Sequence, residues 1–203
     1  ITAGTTDNCD ANFTVDLART MFSCDDVGTA GVMVLVTYED CAENSSNCMA
    51  TIIVEDNVDP VALCQNVTVQ LDVDGNGSTT PADVDNGSSD ACGIASYVLD
   101  RMDFTCDDVG DVIVTLTVTD VNSNSDDCEA TITVEDNVKP EALCQNIIVQ
   151  VSGQTASAVV DPTQIDNGSN DACGIASLVL DRTEFTCEDE GDNPVILTVT
   201  DVN

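Results

Sequence analysis

Histidine and tryptophan are absent from the 203 residues, and only one Lys and three Arg carry positive charge. Without His, the chain lacks the commonest general base and a common metal ligand. Without a basic face, and with 38 acidic side chains giving a formal charge of -34, nucleic acid and anionic membrane surfaces are excluded as partners. No apolar run approaches the ~20 residues that span a bilayer, so direct membrane insertion is not expected. Aromatics are scarce, with two Tyr and four Phe. The chain opens on Ile1 with neither Met nor signal peptide, and is expected to be a mature or cropped piece of a longer product.

What is present is apolar content of 42% and eleven cysteines. The first is too high for a disordered acidic tail. The second fits an oxidising compartment, hence an extracellular or cell-surface location. The chain also repeats itself. Asp85-Asn86-Gly87-Ser88 returns as Asp166-Asn167-Gly168-Ser169, Val54-Glu55-Asp56-Asn57-Val58 as Val134-Glu135-Asp136-Asn137-Val138, and Ala62-Leu63-Cys64-Gln65-Asn66 as Ala142-Leu143-Cys144-Gln145-Asn146, at offsets of 80 or 81 residues. The expected domains are a partial repeat over 1–56 lacking its first strands, a complete one over 57–136, and a partial one over 137–203 lacking its last strand. Such ends predict a polypeptide that continues on both sides, or a neighbour that supplies strands.

Within a repeat the hydrophobic period is two. Val67, Val69, Leu71 and Val73 alternate with polar residues; Val112, Val114, Leu116 and Val118 follow the same spacing, as do Ile132 and Val134. Shorter strands are expected over 78–84, 94–100 and 103–106. Six or seven short antiparallel strands in ~80 residues predict an all-β fold of tandem immunoglobulin-like β-sandwiches.

The residues also resemble a family. The opening Cys64-Gln65-Asn66, the loop Asp85-Asn86-Gly87, Phe104 six residues ahead of Gly110, the strand Val114-x-Leu116-x-Val118-x-Asp120, and the close Cys128-x-Ala130-Thr131-x-x-Val134-Glu135-Asp136 resemble the hyalin-repeat (HYR) type of immunoglobulin-like module. Gln65 and Gln145 depart from the Pro that many members carry, and Ser123-Asn124 from the usual Gly-Asn. The resemblance implies secreted or surface proteins of structural and adhesive role, with modules in tandem and no catalytic residue.

Small sandwiches with few aromatics need staples. The recurring 14-residue spacing predicts Cys92–Cys106, with Cys173–Cys187 and Cys9–Cys24 as its copies. Cys64 opens the first strand of a repeat and Cys128 the last, which are neighbours in this fold, so they form the fourth expected bridge. Cys41, Cys48 and Cys144 are left to one another or to partners beyond the chain. Metal binding by these cysteines has little support, since no C-x-x-C pair exists.

An enzyme is not expected: there is no His, no G-x-S-x-G elbow, and no aromatic platform beside a carboxylate pair. Arg19, Arg101 and Arg182, each three residues ahead of a Phe, suggest one fixed ion pair per repeat that holds a loop. Acidic groups interleaved with Asn recur at fixed places and turn several oxygens toward one point, which suits calcium. The first junction gathers Glu55, Asp56, Asn57, Asp85, Asp90, Asp120 and Asn122; the second gathers Glu135, Asp136, Asn137, Asp166, Asp171, Asp201 and Asn203. The expected function is an extracellular rod or filament rigidified by calcium and disulfides, whose partners are copies of itself or flanking repeats. The alternative is the stalk of a cell-surface adhesin whose binding tip lies elsewhere.

Overall fold

The computed structural model describes residues 13–151 and 157–203. The described chain is mostly β, with 49% strand. The strands are β1 (Phe13–Leu17), β2 (Gly28–Asp40), β3 (Ser45–Val54), β4 (Val67–Gln70), β5 (Asn76–Ser78), β6 (Ile94–Leu99), β7 (Asp103–Thr105), β8 (Gly110–Asp120), β9 (Ser125–Glu135), β10 (Ser157–Val159), β11 (Ile175–Leu180), β12 (Glu184–Thr186) and β13 (Leu197–Asp201). Two four-residue helices interrupt them, α1 (Pro81–Val84) and α2 (Pro162–Ile165). The described residues divide into two compact units, one within Ile1–Val61, Ser89–Ser96 and Val118–Asp126, the other within Ala62–Ser88, Tyr97–Thr117 and Asp127–Asn203.

The sheet orders are β1-β2-β3, β4-β9-β8-β6, β5-β7, β10-β12 and β11-β13. Period two decides the faces. Val114, Leu116 and Val118 of β8 are buried, as are Ala130, Ile132 and Val134 of β9. Burying each of these Val, Leu and Ile side chains contributes about 1.5–3 kcal/mol. A further cluster gathers Val160, Ile165, Leu180, Phe185 and Leu197.

Two features of the secondary structure differ from the sequence expectation. The first strand of the middle repeat runs parallel to the last: β4 pairs β9 with Val67 opposite Ile132 and Gln70 opposite Glu135. Residues 78–84 form the end of β5 and then a helical turn, in place of one strand. The cause is local. The Asp83 carboxylate accepts from the Thr80 N–H at 2.8 Å and from its hydroxyl at 2.6 Å, and Pro81 sits at the first helical position with φ already set. The later copy uses Asp161 as cap, with Gln164 accepting from the Asp161 N–H at 2.9 Å.

The disulfides are Cys24–Cys92, Cys64–Cys128 and Cys106–Cys173. Cys64–Cys128 is as expected and joins the openings of the paired strands β4 and β9. The expected Cys92–Cys106 and Cys173–Cys187 bridges are replaced by links one repeat further along. Cys24 is likewise taken by Cys92, and Cys9 lies outside the described residues. The reason is strand direction. Gly93, next to Cys92, accepts from the Val121 N–H at 3.1 Å, just past the far end of β8, whereas Cys106 leads into the opposite end of that strand at Gly110. A spacing that repeats cannot distinguish pairing within a repeat from pairing with the next. Cys48, Cys144 and Cys187 are exposed thiols.

Candidate metal centre

A recurring Arg-Phe pair adjoins the turns that begin at Cys24, Cys106 and Cys187. Arg19, Arg101 and Arg182 form ion pairs with Asp26, Asp108 and Asp189, as the sequence suggested. Each guanidinium also lies over a ring, 5.1 Å from Phe22, 5.0 Å from Phe104 and 4.5 Å from Phe185. Each Nε donates to a nearby carbonyl, that of Met21, Asp103 or Glu184. The paired aspartates close short 3-10 turns, Cys24–Asp26, Cys106–Asp108 and Cys187–Asp189, so the pair fixes where the turn's cysteine starts. The Arg182 guanidinium and the Thr186 N–H hold the Asp189 carboxyl down at about 2. The Thr105 N–H and Arg101 lower Asp108, and the Ser23 N–H and Arg19 lower Asp26.

Cys92 then lies beside two carboxylates. An oxygen of Asp56, an oxygen of Asp90 and Cys92 Sγ are all within 4.8 Å of one another, and Asp136, Asp171 and Cys173 repeat the grouping. Asp90 Oδ1 accepts from the N–H groups of Cys92 at 2.7 Å and Gly93 at 3.1 Å. Asp171 Oδ1 accepts from Cys173 at 2.8 Å. Asp56 Oδ1 accepts from the Val58 N–H at 3.1 Å, and Asp136 Oδ1 from Val138 at 3.0 Å. The second oxygens are treated differently. Asp56 Oδ2, Asp171 Oδ2 and Asn122 Oδ1 are buried with no hydrogen-bond partner. A buried carboxylate oxygen without a partner carries a desolvation cost of about 1–3 kcal/mol or more.

Asn122 belongs to the hairpin that Asn124 ties to this place, its Nδ2 donating to the Asp56 carbonyl at 3.2 Å. The corresponding Asn203 donates from Nδ2 to Asp136 Oδ2 at 3.2 Å. A half-turn of either amide exchanges its oxygen for its nitrogen. Each grouping therefore offers carboxylate oxygens, donors suited to a hard cation, and the Asn203 amide is bonded to the second. The neighbouring sulfurs are bound in disulfides and are not thiolates.

The other candidate residues are committed elsewhere. Asp85 closes its own loop, Oδ1 accepting from Ser88 at 3.0 Å and Oδ2 from Gly87 at 3.3 Å. Burial pushes its carboxyl up, but the Ser88 and Gly87 hydrogen bonds outweigh this and leave it lowered. Asp166 does the same with Ser169 and Gly168. Asp120 is 2% exposed. It holds the hairpin by accepting from the N–H groups of Asn122 and Asn124, both at 2.8 Å, and from Asn124 Nδ2 at 2.7 Å. Burial opposes ionisation there too, and the Asn124 and Asn122 hydrogen bonds win. Asp201 accepts from the Asn203 N–H at 3.1 Å. Glu55 and Asn57 are exposed. Glu135 Oε2 accepts from Gln70 Nε2 at 2.7 Å, and Asn137 donates to Gln70 Oε1 at 2.6 Å.

Of the seven groups expected at each junction, the structure thus brings together Asp56 with Asp90 and Asp136 with Asp171, with Asn203 bonded to Asp136. Sequence reading missed the half-cystine beside each pair. The signal was present in Asp90-Ala91-Cys92 and Asp171-Ala172-Cys173: an aspartate two residues before a cysteine turns back to that cysteine's N–H. Compared with family models and with curated proteins, the chain matches none of either.

Proposed function

We propose that the protein is an extracellular structural rod or filament of tandem immunoglobulin-like repeats, over 1–56, 57–136 and 137–203, rigidified by calcium and disulfides. The observation that carries the reading is the twice-repeated pair of aspartates, Asp56 with Asp90 and Asp136 with Asp171, beside a disulfide that links one repeat to the next. Three disulfides suit a non-cytoplasmic compartment. No helix among the described residues is long and apolar enough to cross a membrane. Asp56, Asp90 and Asn122 would hold one ion, and Asp136, Asp171 and Asn203 another. The ion would offset the repulsion of paired carboxylates and fix the strands that carry them.

Calcium that binds only the folded state raises stability by mass action, about 2.7 kcal/mol at a hundred times its dissociation constant. Calorimetric melting with chelator and then with excess calcium tests this. The expected result is a lower melting temperature on chelation, restoration by calcium, and loss of the response in the double substitution Asp56→Ala with Asp136→Ala. Melting that ignores both chelator and calcium would overturn the calcium reading. Electron micrographs of purified protein test the rod itself: regular fibres or straight rods support it, and compact particles do not.

A further inference from the structure

We propose that Cys92 and Cys173 make these centres redox-selective: with the disulfide closed the donors are all oxygen, and on reduction the freed thiolate completes an Asp-Asp-Cys site for a thiophilic divalent cation such as Zn²⁺ or Cd²⁺. The inference extends the cation reading to the same groupings, yet its probe and its variants differ.

Three observations carry it. Cys92 Sγ already lies within 4.8 Å of a carboxylate oxygen of both Asp56 and Asp90, as Cys173 Sγ does for Asp136 and Asp171. The loop that delivers each sulfur is held independently of the disulfide, because Asp90 Oδ1 accepts from the Cys92 N–H at 2.7 Å and Asp171 Oδ1 from the Cys173 N–H at 2.8 Å. Finally, Asp56 Oδ2 and Asp171 Oδ2 are buried without hydrogen-bond partners, so each centre has an oxygen whose cost an ion would remove. Two carboxylates and one thiolate are three protein ligands, which leaves a tetrahedral ion one further position for the nearby asparagine amide or water.

Opening the site is thiol–disulfide exchange. A dithiol reductant attacks Cys24 Sγ or Cys92 Sγ, passes through a mixed disulfide, and leaves as its own cyclic disulfide; the Cys24–Cys92 bond gains two electrons and two protons and becomes two thiols. The Cys92 proton leaves when the metal binds, since the thiolate is the ligand. Linkage then requires that a thiophilic ion favour the reduced form, by the same factor by which reduction raises its affinity. The Cys64–Cys128 bond appears in neither grouping and serves as the internal control.

The test needs no reductant. Cys24→Ser frees Cys92 while retaining Asp56, Asp90 and the other two disulfides. Cd²⁺ is the probe, read by its thiolate charge-transfer absorption and by titration calorimetry. Cys24→Ser is expected to show one equivalent of Cd²⁺ with thiolate charge-transfer absorption that is missing from the double variant Cys24→Ser with Cys92→Ser, which corrects for the other thiols. Adding Asp56→Ala to Cys24→Ser should weaken that extra equivalent at least ~10-fold, since losing a ligand costs no less than the ~10-fold that losing a residue supporting a ligand does. Circular dichroism checks that each variant is folded. If the extra equivalent is missing from folded Cys24→Ser, or persists undiminished without Asp56, the proposal is overturned. The calcium reading is judged separately, by melting of the oxidised wild-type chain, so either idea can fail alone.

Discussion

The first and middle repeats carry the same alternation and bury it to different depths. Ile132 and Val134 on β9 are 0% and 1% exposed, and β4 runs alongside them. Their counterparts on β3, Ile52 and Val54, are only half-buried; Ile53 is 61% exposed, and β3 is the edge of its sheet among the described residues. Cysteines follow suit: Cys128 is half-buried and bonded to Cys64, whereas Cys48 is an exposed thiol. Period two thus decides which face is apolar. How deeply that face is buried depends on the neighbouring strand.

The comparison sharpens under substitution. The largest effect is expected from Cys64→Ser with Cys128→Ser, about 4 kcal/mol in the chain-entropy model for a loop of this size. Denaturant melts would show it, while Cys48→Ser in the first repeat should leave the midpoint unchanged. Next, Ile132→Ala should cost about 3 kcal/mol, because a cavity adds to the lost transfer energy, and Ile52→Ala about 1 kcal/mol for a half-buried chain. Equal losses would mean that the first repeat is as well packed as the second.

A smaller contrast concerns the hairpin aspartates. Asp120 and Asp40 make the same bonds, Asp40 accepting from Ala42, Asn44 and the Asn44 amide, each at 2.8 Å, but Asp120 is the buried one. Asp120→Ala should therefore lower the melting temperature more than Asp40→Ala does, as thermal scans by circular dichroism can establish. Acid supplies the smallest effect. Asp189 is held below its ordinary 3.8 at about 2, so its stabilisation is complete above the ordinary value and is lost as pH falls from there through about 2. The difference in melting temperature between wild type and Asp189→Asn should shrink as pH is lowered from about 5 to about 2. A gap that widens instead would reverse the assigned role of the Arg182 pair.

Much of the candidate centre was legible because its chemistry is local. Asp56, Asp90, Asp136 and Asp171 stood out as acids recurring at fixed places. What the sequence hid was selection among equals. Asp85, Asp120 and Asp166 look no different on paper, yet each commits both carboxylate oxygens within its own turn, whereas Asp56 and Asp171 leave Oδ2 without a partner. Conversely, Thr80-Pro81-Ala82-Asp83 carried a legible capping signal that the β-propensity of its surroundings obscured.

The sequence by itself determined the repeat and the strand faces, and it pointed to one ion pair for each Arg, its partner unnamed, and to the Cys64–Cys128 bridge. Each is fixed by residue type at short range or, for the bridge, by the adjacency of first and last strands. Only the tertiary structure decided that Cys24 meets Cys92 and Cys106 meets Cys173. In a periodic chain, pairing within a repeat and pairing with the next present nearly the same residues; the choice falls to which strand ends lie side by side, a property of sheet topology that spacing does not encode.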